Sequence, residues 1–331
     1  MARIGCIASP SLILEKKAAT VPSRMSFVSR NRAFLILLAV LPLTGCLFRS
    51  RKVQAPLGAG PLKTASQQEL IESVNTQASR IQTIQATVDI DTSVGGAKKG
   101  KIIDFQQIRG YVLVRKPSML RMIGLAPIVR NTAFDMVSDG RDFKLSIPAK
   151  NRFVVGRNDI ETHSLTQPLE NLRPKHIYDA LLIREIAANE VAVMESETET
   201  VIDAKGHKRE QPEYVVDVIR QSGQGWVLAR KIVFNRSDLL PHRQILYDDK
   251  GEIATDAIYE DYRDENGVSF PWQIEISRPK EEYDITLTLV KLELNRPLGD
   301  DKFVLEQPPS AEVVRLDKAG NGPVPGPQSN R

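Results

Sequence analysis

Apolar residues change their spacing several times along this chain, and each change predicts an element. They run unbroken from 33 to 43 and then, from 66 to 80, take up a helical period. Leu70, Ile71, Val74, Ala78 and Ile81 share one face there, and Ser66 with Glu69 makes a capping box. The period then drops to two. Ala86, Val88 and Ile90 alternate with polar neighbours, and 108–114 and 119–123 are rich in β-branched or long apolar residues, as strands are. Asp139-Gly140 and Asn266-Gly267 fall between such runs and predict two-residue hairpin turns, because both dipeptides tolerate positive φ. Asp248-Asp249-Lys250-Gly251 reads as another turn. A second helix is expected over 174–188, opened by Pro174 and carrying Ile177, Ala180, Leu181 and Ile186.

The clearest alternation comes late. Trp272, Ile274 and Ile276 oppose Gln273, Glu275 and Ser277, and Tyr283, Ile285, Leu287 and Leu289 oppose Asp284, Thr286 and Thr288. Leu292 and Leu294 then fall out of step, and a β-bulge near Val290 would absorb the extra residue. About ten antiparallel strands with two helical insertions imply a mainly β fold. Its form would be a curved sheet or unclosed antiparallel barrel, with helices as a lid over a concave apolar face.

The run at 33–43 follows Arg30 and Arg32 and ends in Leu43-Thr44-Gly45-Cys46. Charged segment, apolar segment and small-residue site come in the order of a secretory signal, and about eleven apolar residues fall short of the roughly 20 that span a bilayer. The last four residues resemble a bacterial lipobox, in which the cysteine takes a diacylglyceryl group and the bond before it is cut. The alternative is an ordinary signal peptide that happens to hold a cysteine. Lipidated, Cys46 would be the membrane anchor, since two or more acyl chains attach stably where one does not. Leu47 stands where, in the resembled sorting system, an aspartate favours inner-membrane retention, so the outer membrane is the expected location, with the domain facing the periplasm. Met25 directly precedes the charged segment and is read as the true start, which leaves residues 1–24 out of the fold.

Charge sharpens this picture. Residues 1–45 hold six of the 45 basic residues and one of the 41 acidic ones, so the chain from Cys46 carries 39 basic and 40 acidic residues. The net +4 therefore belongs to the leader, and nucleic-acid binding has no electrostatic support. Of the two cysteines, Cys6 precedes Met25 and Cys46 would be acylated, so no disulfide is expected. Residues 46–65, with Pro56, Gly58, Gly60 and Pro61, read as a flexible tether, 66–316 as one large domain, and 317–331 as a disordered tail.

Several segments together resemble the LolA/LolB-like family of lipoprotein-sorting proteins. They are Leu120-Arg121-Met122, Gly124-Leu125-Ala126-Pro127-Ile128, the run from Phe134 to Gly140, Asp261-Tyr262-Arg263, the run from Asn266 to Pro271, Tyr283-Asp284-Ile285, Leu294-Asn295-Arg296-Pro297-Leu298, and Phe303-Val304-Leu305. The resemblance implies an unclosed antiparallel β-barrel lidded by helices, with an apolar cavity that receives acyl chains. It also implies that 125–129 is the apolar loop that places cargo in a membrane, with Leu125, Ile128 and Val129 as its residues. Alternatively, Leu125 and Ile128 pack on the barrel rim. A longer helical insertion and the proline-rich tail depart from the family pattern and leave the cargo undefined.

Enzyme chemistry finds no foothold. His163, His176, His207 and His242 lack the spacing of a metal site and are read as solvated loop residues, so neither a metal nor a cofactor beyond the covalent lipid is expected. Asp89-Ile90-Asp91-Thr92-Ser93 opens like a calcium loop, but Gly100 occupies its twelfth position. No Gly-x-Ser-x-Gly elbow or phosphate loop occurs. Arg230 alternates with Trp226, Leu228, Ile232 and Phe234, so it either points inward to a carboxylate or a lipid head group, or is kept wet by a bulge or by the strand's outer side. Trp226 and Trp272 either line a lipid cavity or fill core. The expected protein is a non-enzymatic lipoprotein that binds acyl chains or lipoproteins, with a periplasmic carrier as one possible partner. Its rival is a docking platform for an envelope complex.

Overall fold

The computed structural model describes residues 61–96, 100–160, 172–202 and 206–316, all within the second of the chain's two units, Pro56–Arg331. The leader, Cys46, most of the tether, His163 and the tail from 317 lie outside the described residues.

Helix α1 spans Gln67–Arg80 and starts as its sequence dictates. The Ser66 side chain accepts from the Glu69 backbone, and the Glu69 carboxylate accepts from the Ser66 amide at 2.7 Å. Leu70, Val74 and Ala78 form its buried face. Among the described residues fifteen strands follow, more than the ten or so expected, and they form one sheet. The first seven are β1 (Thr83–Gly96), β2 (Lys101–Asp104), β3 (Ile108–Arg115), β4 (Met119–Leu125), β5 (Thr132–Ser138), β6 (Asp142–Ile147) and β7 (Arg152–Arg157). Helix α2 (Pro174–Leu181) intervenes before β8 (Val191–Ile202), β9 (Lys208–Ser222), β10 (Gly225–Asn235), β11 (Pro241–Tyr247), β12 (Ile253–Glu265), β13 (Val268–Arg278), β14 (Tyr283–Leu294) and β15 (Glu312–Leu316).

The order β15-β7-β6-β5-β4-β3-β1-β14-β13-β12-β11-β10-β9-β8 leaves β15 and β8 as free edges, so the sheet is unclosed, and β2 pairs with β1 off this path. Pairing is antiparallel except between β15 and β7. Asn266 (φ 56°) and Gly267 (φ 81°) make the two-residue turn between β12 and β13. The bulge falls at Val290: Thr87 pairs with Lys291 and Val88 with Leu289. The Asp139-Gly140 turn is one residue longer than predicted, because the Asp139 carboxylate caps the amides of both Arg141 and Asp142.

Curvature follows from what α2 touches. It packs on β4 and β5 in one wing and on β12 and β13 in the other. In a flat sheet β5 and β12 would stand roughly 29 Å apart, six steps of about 4.8 Å, whereas a helix is only about 10–12 Å across. The sheet therefore bends around α2. Inside the bend one apolar core joins Val88, Val114, Leu120, Met122, Ile274 and Leu287 to Ile177 and Ala180 of α2. A second core packs Leu70 and Val74 of α1 on Val216, Val218, Ile232 and Phe234. On the outer face, Leu298 and Phe303 pack on Val137 while Arg115 and Arg121 hold the backbone at Leu298 (2.7 Å) and Lys302 (2.8 Å). This strap carries the chain across to β7, where β15 is added.

Candidate functional site

An apolar cleft lies under α1, walled by Val74, Ala78, Ile81, Leu182, Tyr262 and Phe270. Its volume is about 30 Å³, room for a water or two and far below the ~150 Å³ that accepts benzene. Besides its apolar face, the lid is fastened through polar side chains reaching backbone. Gln67 donates to Ala192 O (3.1 Å) and accepts from Met194 N (3.2 Å), Gln77 donates to Ser269 O (2.8 Å) and Arg80 donates to Gly267 O (3.3 Å).

The second helix stops at Leu181 rather than running to 188, and the reason is tertiary. Arg230 donates to Arg184 O (2.7 Å) and Glu185 O (2.8 Å), and Asn75 accepts from Ile186 N (2.8 Å). Backbone groups a helix would have paired are thus taken by side chains of other elements, and Leu182, with extended backbone, and Ile186 enter the core from a segment without regular secondary structure. Arg230 is fully buried, with Glu190 at 3.7 Å, so of the two readings of this residue the inward one holds. A bulge is present as well: the register slips between Leu228 and Arg230, leaving Ala229 unpaired. That slip takes Trp226 out of phase with Arg230, and Trp226 is 60 % exposed. Burial, followed by the nearby Arg184 charge, lowers the Arg230 guanidinium to about 10, and Glu190 works the other way. For Glu190 burial acts to raise its pKa, but hydrogen bonds from Arg184 and the Ala187 amide hold it below its usual value. Trp272 is half-buried against the main core, with the Arg263 guanidinium 4.1 Å from its ring centre.

The 126–131 loop joins β4 to β5. Leu125, the last residue of β4, pairs with Arg109 and Thr132 and is half-buried. Beyond it Ile128 is 99 % and Val129 66 % exposed. Ile128 has φ 68° and Arg130 φ 54°, and a β-branched residue in that region carries strain of order 1–3 kcal/mol. Bonds from Ala126 N to Asn131 O (2.7 Å) and Arg130 N to Ala126 O (3.0 Å) close the turn that displays it.

A polar recess of about 430 Å³ opens at the start of α2, lined by Arg173, His176, Thr255, Arg278 and Glu281 among others. Sequence reasoning missed it, although Arg278 stands in phase with Ile274 and Ile276. Arg278 is 2 % exposed and donates to Thr255 Oγ1 (2.9 Å) and Glu281 (2.7 Å). His176 is no solvated loop residue, being in α2 and half-buried. Burial first, then the charges of Arg278, Lys175 and Arg173, hold its pKa well below 6.5. His242 lies in β11, its Nε2 2.8 Å from Asp238, and His207 precedes β9. Below about pH 6.5 the unfolded chain gains a proton that the folded His176 ring refuses, so the stability this ring confers is complete above pH 6.5 and declines as pH falls. Replacing His176 by Asn should flatten the decline between pH 6.5 and 5, by at most about 1.4 kcal/mol per pH unit, in denaturant titrations. Parallel pH profiles of the two proteins would refute this.

No family model matches the chain, and no curated protein matches it by sequence. Solved structures resemble it in fold. One is a LolA superfamily protein from Nitrosomonas europaea, 16 % identical over 73 % of this chain and 99 % of that one, at a TM-score of 0.44. Another is a DUF1329 family protein from Desulfovibrio piger, 14 % identical over 71 % and 95 %, also at 0.44. A third is a putative outer membrane lipoprotein-sorting protein domain from Vibrio parahaemolyticus, 14 % identical over 71 % and 94 %, at 0.43.

Proposed function

We propose that this protein is a non-enzymatic lipoprotein, anchored through Cys46 in the outer membrane, that takes up acyl chains between α1 and the inner face of the sheet and releases them at the 126–131 tip. The observation that carries the reading is an apolar inner face lidded by helices rather than by a second sheet, with α1 seated over an apolar cleft. The strained turn presenting Ile128 and Val129 to solvent supports the second half, since nothing in the fold is gained by that display.

The cleft of about 30 Å³ is a closed state, so loading displaces α1. The magnitudes permit this. Lifting Leu70, Val74 and Ala78 off the core costs roughly 5 kcal/mol, while a sixteen-carbon chain gains about 0.8 kcal/mol per buried CH₂, or about 12 kcal/mol in all. Lipoproteins delivered by a periplasmic carrier are the cargo this reading favours. The small cleft itself favours the second reading, a docking platform whose interior is filled by its own side chains.

Native mass spectrometry with lipid extraction, on the soluble chain from Thr64 purified without detergent, separates them. Retained phospholipid or acylated peptide is expected, together with loss of transfer to vesicles but not of loading in Ile128→Glu/Val129→Glu. An empty protein held in a stable complex with another envelope protein would establish the platform instead.

A further inference from the structure

Strand β2 does not belong to the body of the sheet. Ser93 to Gly96 of β1 pair with Asp104 to Lys101, and Phe105 N donates to Thr92 O at 2.9 Å, so β2 runs on from β3 along the same edge of β1. Its neighbour β4 ends at Leu125, opposite Arg109. The stretch from Phe105 back to Lys101 therefore projects beyond the end of β4 by four to eight residues, about 13–26 Å along the strand. The 126–131 loop leaves β4 at that same end.

All four residues of β2 are exposed. Ile102 is 64 %, Ile103 46 % and Phe105 45 % exposed, and successive strand residues point to opposite faces, so both sides of the projection are apolar. With Ile128 and Val129 this puts five of the fourteen exposed large hydrophobic residues among the described residues at one end of the molecule, a clustering that marks an interaction surface rather than scattered surface apolarity. Exposed Lys101 and Arg130 flank them and make no ion pair among the described residues; the carboxylates at this end are Asp104, Asp91 (accepting from Gln107), Asp284 (accepting from Ser93) and that of Glu282, which lies against Gly96.

We propose that strand β2, with Phe105, is a second membrane-contacting element that, with the 126–131 tip, seats this end of the sheet on an anionic bilayer surface. The proposal rests on the anchor and tip of the reading above, and adds to it strand β2 and the kind of surface. The occupant is a bilayer because the chain between Cys46 and Ala65 is at most about 65 Å long when extended, which keeps a lipidated protein within reach of its own membrane. Apolar prongs beside cations fit the boundary between acyl chains and anionic head groups.

The test uses the mature full-length chain with Cys46→Ser, so that the anchor cannot drive binding, and vesicles of phosphatidylethanolamine with phosphatidylglycerol. Ile102→Glu/Ile103→Glu should lower partitioning about tenfold or more, as should Ile128→Glu/Val129→Glu. Both pairs replace exposed side chains, and unchanged melting temperatures would certify the fold. Replacing phosphatidylglycerol by phosphatidylcholine should weaken partitioning as well. Partitioning unchanged in the β2 variant, or no vesicle binding by the parent, would overturn the proposal; equal binding to the zwitterionic vesicles would overturn its anionic part. Failure of the carrier reading looks different, as an empty cleft in mass spectra with vesicle binding intact.

Discussion

Replacing Arg230 by methionine is expected to destabilise the fold by roughly 3–5 kcal/mol. Methionine fills similar volume, so the loss isolates the polar contribution. The carbonyls of Arg184 and Glu185 would be stranded, and Glu190, 5 % exposed, would lose one of the cations around it. Because its pKa falls only to about 10, the guanidinium is charged at neutral pH and both carbonyl bonds are charge-assisted. At about 2–4 °C per kcal/mol for a domain of this size, the midpoint of thermal unfolding should fall by about 6–20 °C. Adding Glu190→Gln to Arg230→Met should recover part of that loss, because the carboxylate left without Arg230 is then neutral. A loss below about 1 kcal/mol would mean that segment 182–190 is held by the burial of Leu182 and Ile186 and by the Asn75 bond, without help from Arg230.

The second large effect concerns the cleft. Phe270 is 2 % exposed and forms part of the wall under α1. Phe270→Ala should cost about 3–5 kcal/mol, and the void it leaves, joined to the existing 30 Å³, approaches the ~150 Å³ that admits benzene. The variant should therefore bind small apolar probes that the parent excludes, measurable as a rise in its unfolding temperature with ligand. Loss of stability with no such rise would show that the lid collapses into the space and that the cleft is no nucleus for acyl binding.

Local chemistry made much of this legible. The capping box at Ser66 and Glu69 needs only four consecutive residues, and Asn266-Gly267 needs only two. The bulge at Val290 shows because the alternation of β14 continues on both sides of it. The resemblance pointed to the 125–129 stretch, and the apolar letters of Ile128 and Val129 lie at the displayed tip. Strand β2 also had a local signal, Ile102-Ile103 and Phe105 after Gly95-Gly96 and Gly100, that went unread because its residues face water on both sides and so lack a buried partner face.

What the sequence could determine by itself is whatever is decided within about ten residues: where α1 starts, which runs are strands, where hairpins turn, and which face of each strand is apolar. The end of α2 is a different matter. Residues 182–188 keep a helical pattern, yet Arg230 and Asn75, distant in the chain, take their backbone groups, and a hydrogen bond between distant elements leaves no trace in local periodicity. The phase between Trp226 and Arg230 was equally invisible, since one unpaired residue, Ala229, turns a shared face into opposite faces. The sheet's bend around α2, the closing of the cleft by α1 and the parallel docking of β15 on β7 all join segments tens to hundreds of residues apart. Those were decided only by the tertiary structure, because packing sums over neighbours in space, which the order of residues along the chain does not specify.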